Sequence, residues 1–209
     1  MKDVLSHCLS NITNMFKFGS QVYGNLDNFS DEDYIAVVSD LKGYIIDGKQ
    51  IKIAKHDYIF YDNSAWINKL EKHDIDALEC YFLTNDINQE GGHIFINNGK
   101  FNFELDLEKL RTSVSSKASN SWAKAKKKIE VENDIRTGQK SLFHSLRILM
   151  FGIQIAELGM IVDYSEANKY YKDILTIDNY SVLKEKYQPI YNKLKSKFKI
   201  VAPIEKSVV

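Results

Sequence analysis

Leu107, Leu110, Val114, Ala118, Trp122, Ala125 and Ile129 step along the chain by three or four residues, the apolar stripe of one long amphipathic helix with a basic outer face. Residues 140–160 are apolar on nearly every side, which predicts a helix buried between others. Two further helices are predicted after it, with Ser165 and Ser181 as N-caps, and Pro189 is expected to kink the last. Upstream the period shortens. Residues 15–18 form a β-prone run that stops at Gly19-Ser20, Tyr34 to Val38 reads as a stronger strand, and residues 44–53 read as a hairpin turning at Asp47-Gly48. Asp57 to Tyr61 is a fourth strand. A short helix is predicted over residues 5–14, another from a cap at Asn63 or Ser64 through Leu70, and a third over residues 75–83. Residues 95–105 fit neither period, although Asn98-Gly99 suggests another hairpin turn. The expected class is α+β: a core with a short mixed sheet over residues 1–104 and a helical lobe over 105–209.

Composition adds bounds. At 209 residues and 44% hydrophobic content the chain has enough apolar side chain for a packed core, which excludes a disordered or collagen-like chain. Cys8 and Cys80 are too few for a disulfide framework or structural zinc, and neither has a neighbouring base for thiol chemistry. The longest apolar stretch, residues 146–162, is interrupted by Gln154 and Glu157, and Met1 opens no signal-peptide pattern. These features lead us to expect a soluble cytoplasmic protein with no membrane partner. The net charge of zero hides a division. Residues 1–108 hold 9 lysines, no arginine and 18 acids, while residues 109–209 hold 19 basic residues and 10 acids. Either the two halves neutralise one another, or a metal-binding lobe accompanies a polyanion-binding one.

The chemistry concentrates in Phe18-Gly19-Ser20-Gln21-Val22-Tyr23-Gly24, followed by Ser30-Asp31-Glu32-Asp33-Tyr34. A strand ending at Gly19 and a helix opening at Ser20 would let the backbone and a hydroxyl approach a phosphate. Asp31 and Asp33 lie two apart at a strand start, so the pleat sends both carboxylates to one side, where they repel unless a cation joins them. Hard oxygen ligands at this spacing suit Mg2+. Two such ions would need a third acid to activate a hydroxyl and stabilise a leaving pyrophosphate; Asp57 and Asp62, at opposite ends of one strand, both qualify.

These residues resemble the polymerase-β-like nucleotidyltransferase superfamily, whose signature is Gly-Ser, a variable stretch, Asp-x-Asp, and a third acid on a later strand. The chain is closest to the RNA-repair-associated predicted nucleotidyltransferase branch, which opens Gly-Ser-x-x-Tyr-Gly and whose third acid leads an Asp-x-x-x-Tyr strand, here Asp57 to Tyr61. Leu78-Glu79 matches the end of that branch's helix pair, and Lys140-Ser141-Leu142-Phe143-His144-Ser145-Leu146-Arg147 fits its later Lys-Ser-x-x-His-x-x-Arg pattern. The resemblance implies an NTP-dependent transferase in which Asp31, Asp33 and Asp57 hold two Mg2+ ions. Gly19 and Ser20 would then seat the outer phosphates, and the acceptor would be an RNA end such as that of tRNA. Two positions depart from the pattern: Glu32 stands where the family has an apolar residue, and Gln21 where many relatives carry a base.

Lys140, His144 and Arg147 also have a reading of their own. Spaced i, i+4 and i+7, they share one face of an apolar helix, where cations need anions, and phosphate contact is the expected role. Lys124, Lys126, Lys127 and Lys128 beside Trp122, with Lys193, Lys195, Lys197 and Lys199 near Tyr191 and Phe198, are either a nucleic-acid track or a solvated face. His7, His56, His73 and His93 have no ligand spacing. Two rival functions remain: nucleotide transfer to a protein or small molecule, and nucleotide binding without turnover.

Overall fold

Four consecutive buried residues, Ile35 to Val38, mark β2 (Glu32–Val38) as a strand covered on both faces. The computed structural model describes residues 7–25, 32–39, 41, 48–53, 56–83, 93–96 and 101–204. In it β2 pairs antiparallel with β1 (Ile12–Phe18) on one side and parallel with β4 (His56–Asp62) on the other. The strands β3 (Gln50–Ile53) and β5 (His93–Ile96) complete a mixed sheet of order β3-β4-β2-β1-β5. One face packs Ala36, Val38 and Phe60 against Cys8 and Leu41. The other stacks Phe16 on Trp66 of α3 (Asn63–Glu71), with ring centroids 5.4 Å apart. The fold class is therefore α+β.

Several boundaries differ from the local expectation. Of the helix predicted over residues 5–14, only the turn α1, residues 7–10, is helical among the described residues. The Asn11 side chain then donates to the His7 carbonyl at 2.7 Å, and β-branched Ile12 and Thr13 start the strand early. Helix α3 is capped by Asp62, whose carboxylate accepts from the Ala65 amide at 2.7 Å, and not by Asn63 or Ser64. The first arm of the predicted hairpin at 44–47, and Asn98-Gly99, lie outside the described residues.

By backbone contacts the chain divides into two units, residues 1–72 with 76–104, and residues 73–75 with 105–209. The first holds the sheet, α2 (Ser20–Tyr23), α3 and most of α4 (Ile75–Leu83). The second is helical: α5 (Leu107–Glu130), α6 (Ile135–Leu158), α7 (Asn168–Ile174) and α8 (Tyr180–Val201). Helix α6 begins five residues before Lys140 because the Asp134 carboxylate accepts from the Thr137 amide at 3.2 Å. It meets α5 closely: a Cβ at Gly138 would lie 2.3 Å from the Ile129 side chain. Ser165 does not cap α7; it bonds Asp163 two residues back, and the helix opens after Ala167. Asn179, not Ser181, caps α8, and Pro189 lies inside that helix. Gln154, which interrupts the apolar run, accepts from the Val162 and Asp163 amides and so ties down the loop after α6. Among the described residues no helix is long and apolar enough to cross a membrane.

Candidate active site

The chain leaves β1 at Phe18, which pairs with Asp33 of β2, and bends at Gly19 with φ 73° and ψ −149°. The Asp33 carboxylate occupies the space a side chain there would need: a Cβ on Gly19 would lie 2.3 Å from Asp33 Oδ2. The bend and the acid are thus in contact. Asp33 in turn pairs with Asp57 across the parallel β2–β4 ladder, so both carboxylates leave the same face of the sheet. Asp57 is 9% exposed. Lys52 pairs with Asp57 from the other side, a cation that sequence reading missed; only the β3–β4 register reveals it.

Asp31 lies outside the described residues, and with it the expected Asp31–Asp33 pair. Among the described residues no group of three or more His, Cys, Asp or Glu side chains is placed to hold a metal. The Asp62 carboxylate is engaged at the opposite end of β4, where the Ala65 amide and the Ser64 hydroxyl hold it below its ordinary carboxylate range.

Ser20 and Gln21 stand in α2, a single turn of four residues, so the helix predicted at Ser20 carries little dipole. Gln21 donates from Nε2 to the Asp33 carbonyl at 2.5 Å and anchors the turn to β2. Tyr23 donates its hydroxyl to Glu79 Oε2, and both residues are buried. The Tyr of the first motif and the Leu-Glu pair of α4 therefore meet, locking the turn after Gly19 onto α4. Replacing Tyr23 by Phe removes one donor from a buried carboxylate; we expect a loss of about 1–3 kcal/mol, read as a lower denaturant midpoint.

Glu32 projects to the other face, where its Oε2 lies 3.0 Å from His56 Nδ1 and accepts from the Tyr34 hydroxyl at 2.9 Å. Burial and this neighbouring carboxylate push the Tyr34 hydroxyl up to about 12. The carboxylate that departs from the family pattern thus lies against two polar groups, the His56 ring and the Tyr34 hydroxyl.

In the helical unit the three basic residues of α6 differ in burial: Lys140 is exposed, His144 half-buried, and Arg147 6% exposed. Arg147 Nη2 lies 2.6 Å from His144 Nδ1, and its guanidinium sits 5.7 Å and 5.9 Å from the rings of Phe143 and Phe151. Burial, with Arg147, Lys117 and Lys124 as further causes, holds the imidazole well below its ordinary 6.5. The linkage has a definite sign. Below pH 6.5 the unfolded chain binds a proton that folded His144 refuses, so stability falls as pH drops from there toward the folded-state value. His144→Asn should flatten this part of the stability–pH curve by at most about 1.4 kcal/mol per pH unit, measured by denaturant unfolding.

The proposed lysine track is partly neutralised. Lys126 faces Glu130 at 3.8 Å, Lys127 and Lys128 face Glu132 at 3.1 and 2.5 Å, and Lys197 faces Glu157 at 3.0 Å. Trp122 stacks on Tyr191 with ring centroids 4.6 Å apart. Cys8 and Cys80 are buried with their thiols pushed up by that burial. His73 is also buried and accepts from the Asp106 amide at 2.8 Å.

No protein-family model matches the chain, and no curated protein sequence matches it. Among solved structures it is similar to the crystal structure of a nucleotidyltransferase-like protein from Exiguobacterium sibiricum 255-15. The identity is 11%, the match covers 96% of this chain and 74% of that one, and the TM-score is 0.34.

Proposed function

We propose that the protein is a nucleotidyltransferase that moves a nucleotidyl group from an NTP to an acceptor hydroxyl and releases pyrophosphate. One observation carries the reading: Asp33 and Asp57 stand side by side on parallel strands, with the Gly19 bend packed against Asp33. Two adjacent carboxylates on one face are the hard-oxygen donor set that Mg2+ takes, and the glycine leaves open backbone beside them. The donors fit the ion. Asp33 and Asp57 would hold it, with Asp31 as the further ligand expected from the Asp-x-Asp pattern and a second ion sharing the same acids. When bound, Mg2+ offsets the repulsion between the carboxylates and stabilises negative charge on phosphate oxygens.

The chain's own groups divide the remaining work. Ser20 contributes a hydroxyl, and Gly19 a backbone without side-chain bulk, for the outer phosphates. Asp57, the more enclosed acid, orients the acceptor hydroxyl and takes its proton as the hydroxyl attacks the α-phosphorus in line. In the helical unit, Lys140 and Arg147 of α6 carry charge suited to phosphate oxygens, with the His144 ring beside Arg147. An RNA end, including that of tRNA, is the acceptor favoured by the resemblance and by the basic second half of the sequence.

Incubation with labelled NTPs, Mg2+ and total RNA tests this reading. Label should enter RNA and disappear in Asp33→Ala, and RNA affinity should fall steeply with added salt. Label appearing in protein or small molecules would redirect the acceptor, and no label in any acceptor would refute transfer.

A further inference from the structure

The face of α6 that carries Arg147 and His144 is not confined to that helix. Lys117 and Lys124 are seven residues apart on α5 and so form one stripe. Helix α5 runs antiparallel to α6, with Ile129 and Ala125 beside Gly138, and Val114 beside Gly152. This alignment brings the stretch between Lys117 and Lys124 level with His144 and Arg147. Trp122 and Ser119, on the other flank of α5, are engaged with Tyr191 of α8. Lys126, Lys127 and Lys128 are answered by Glu130, Glu132 and Asp134.

We propose that Lys117 and Lys124 belong to the same anion seat as His144 and Arg147, and that this seat takes a diphosphate or triphosphate group together with one proton. The inference rests on the phosphate-contact role given above to the α6 motif and extends it to a second helix and to a proton.

The reasoning is electrostatic. Among the described residues, the charged groups acting on His144 are Arg147 on its own helix and Lys117 and Lys124 on α5. Helix α7 brings Tyr171 against Phe143, and α8 brings Phe198 against Gly152 and Lys197 to Glu157. With the ring neutral, Nδ1 accepts from Arg147. A polyphosphate arriving among these cations inverts the balance, because its negative charge favours the imidazolium that the cations alone oppose. The proton comes from solvent and adds to Nδ1; Nδ1–H and the Arg147 guanidinium then both become donors to phosphate oxygens. A permanently protonated histidine would add a fourth positive charge beside Arg147, Lys117 and Lys124 even without a ligand, whereas this one acquires its charge with its ligand.

The experiment is histidine-labelled NMR on the full chain at pH 7.5 in EDTA, titrated with inorganic tripolyphosphate. One imidazole, identified by its absence in His144→Asn, should change from the neutral to the imidazolium signature at saturation. Binding should weaken by about tenfold or more in the double variant Lys117→Ala/Lys124→Ala. The double variant Lys126→Ala/Lys127→Ala, which removes the same formal charge, should bind as the wild type does. A ring that stays neutral at saturation, or equal weakening in both double variants, overturns the proposal. Asp33→Ala should bind tripolyphosphate with the same protonation. If this binding behaves as stated while no acceptor is ever labelled, the transferase reading falls and the anion seat stands. If labelling succeeds while His144 stays neutral, the anion seat falls and the transferase reading stands.

Discussion

Asp57→Asn should lower nucleotidyl transfer by at least about 10²–10³-fold while leaving the fold intact. The substitution is nearly isosteric, and the parallel ladder around it is set by backbone bonds and by the apolar pair Ile35–Ile59, neither of which needs the charge. What disappears is one of two adjacent carboxylates. In the absence of cation this loss should help, since like charges directly opposite on paired strands cost about 0.2–1 kcal/mol. Lys52, opposite Asp57 on β3, offsets part of that cost. We therefore expect the variant to be as stable as the wild type or slightly more stable in EDTA, and to lack the stabilisation that added Mg2+ should give the wild type. Thermal melts with and without Mg2+, alongside transfer assays, check both halves. Equal Mg2+ stabilisation of the two proteins would mean that the ion binds elsewhere.

Gly19→Ala should damage the same site from the opposite side. With φ 73° and ψ −149° the residue occupies a region that is open in practice only to glycine, and placing alanine there costs about 1–3 kcal/mol. The added methyl would also sit 2.3 Å from Asp33 Oδ2. A carboxylate can rotate away from such a contact, so the steric part of the stability loss is small, but the rotated oxygen would no longer lie where the proposed metal ion or phosphate would need it. Transfer should fall by about 10²-fold or more, beyond what the lost stability explains. Gly24→Asn is the control. Gly24 ends α2 in the left-handed region with φ 71° and ψ 25°, which asparagine tolerates, so near-normal activity is expected there. If Gly19→Ala were as active as this control, the contact with Asp33 would have no part in catalysis.

Much of the architecture was legible in local pattern. The stripe from Leu107 to Ile129 lies within α5, and Ile75 to Leu83 forms α4, because a helical period repeated over several turns leaves little competition. Caps were harder to place. Asp62, Asp134 and Asn179 cap helices whose local pattern places the start at Asn63 or Ser64, Lys140 and Ser181. Neighbouring side chains compete for the same two or three amide groups, and small geometric differences decide the winner.

The sequence by itself determined on which kind of element the candidate residues stand: a glycine bend after a strand, acids near strand starts, and Lys140, His144 and Arg147 on one helical face. These are properties of one or two turns of chain, governed by pleat and helical period. Tertiary structure decided which of those groups meet. The β2–β4 register set Asp57 beside Asp33, the start of α3 engaged Asp62 in a cap, His56 answered Glu32, and the α5–α6 pairing brought Lys117 and Lys124 to bear on His144. Register and helix pairing depend on burial over the whole core, and a one-residue slip would turn every side chain of a strand to the other face, so local pattern carries no record of these partners.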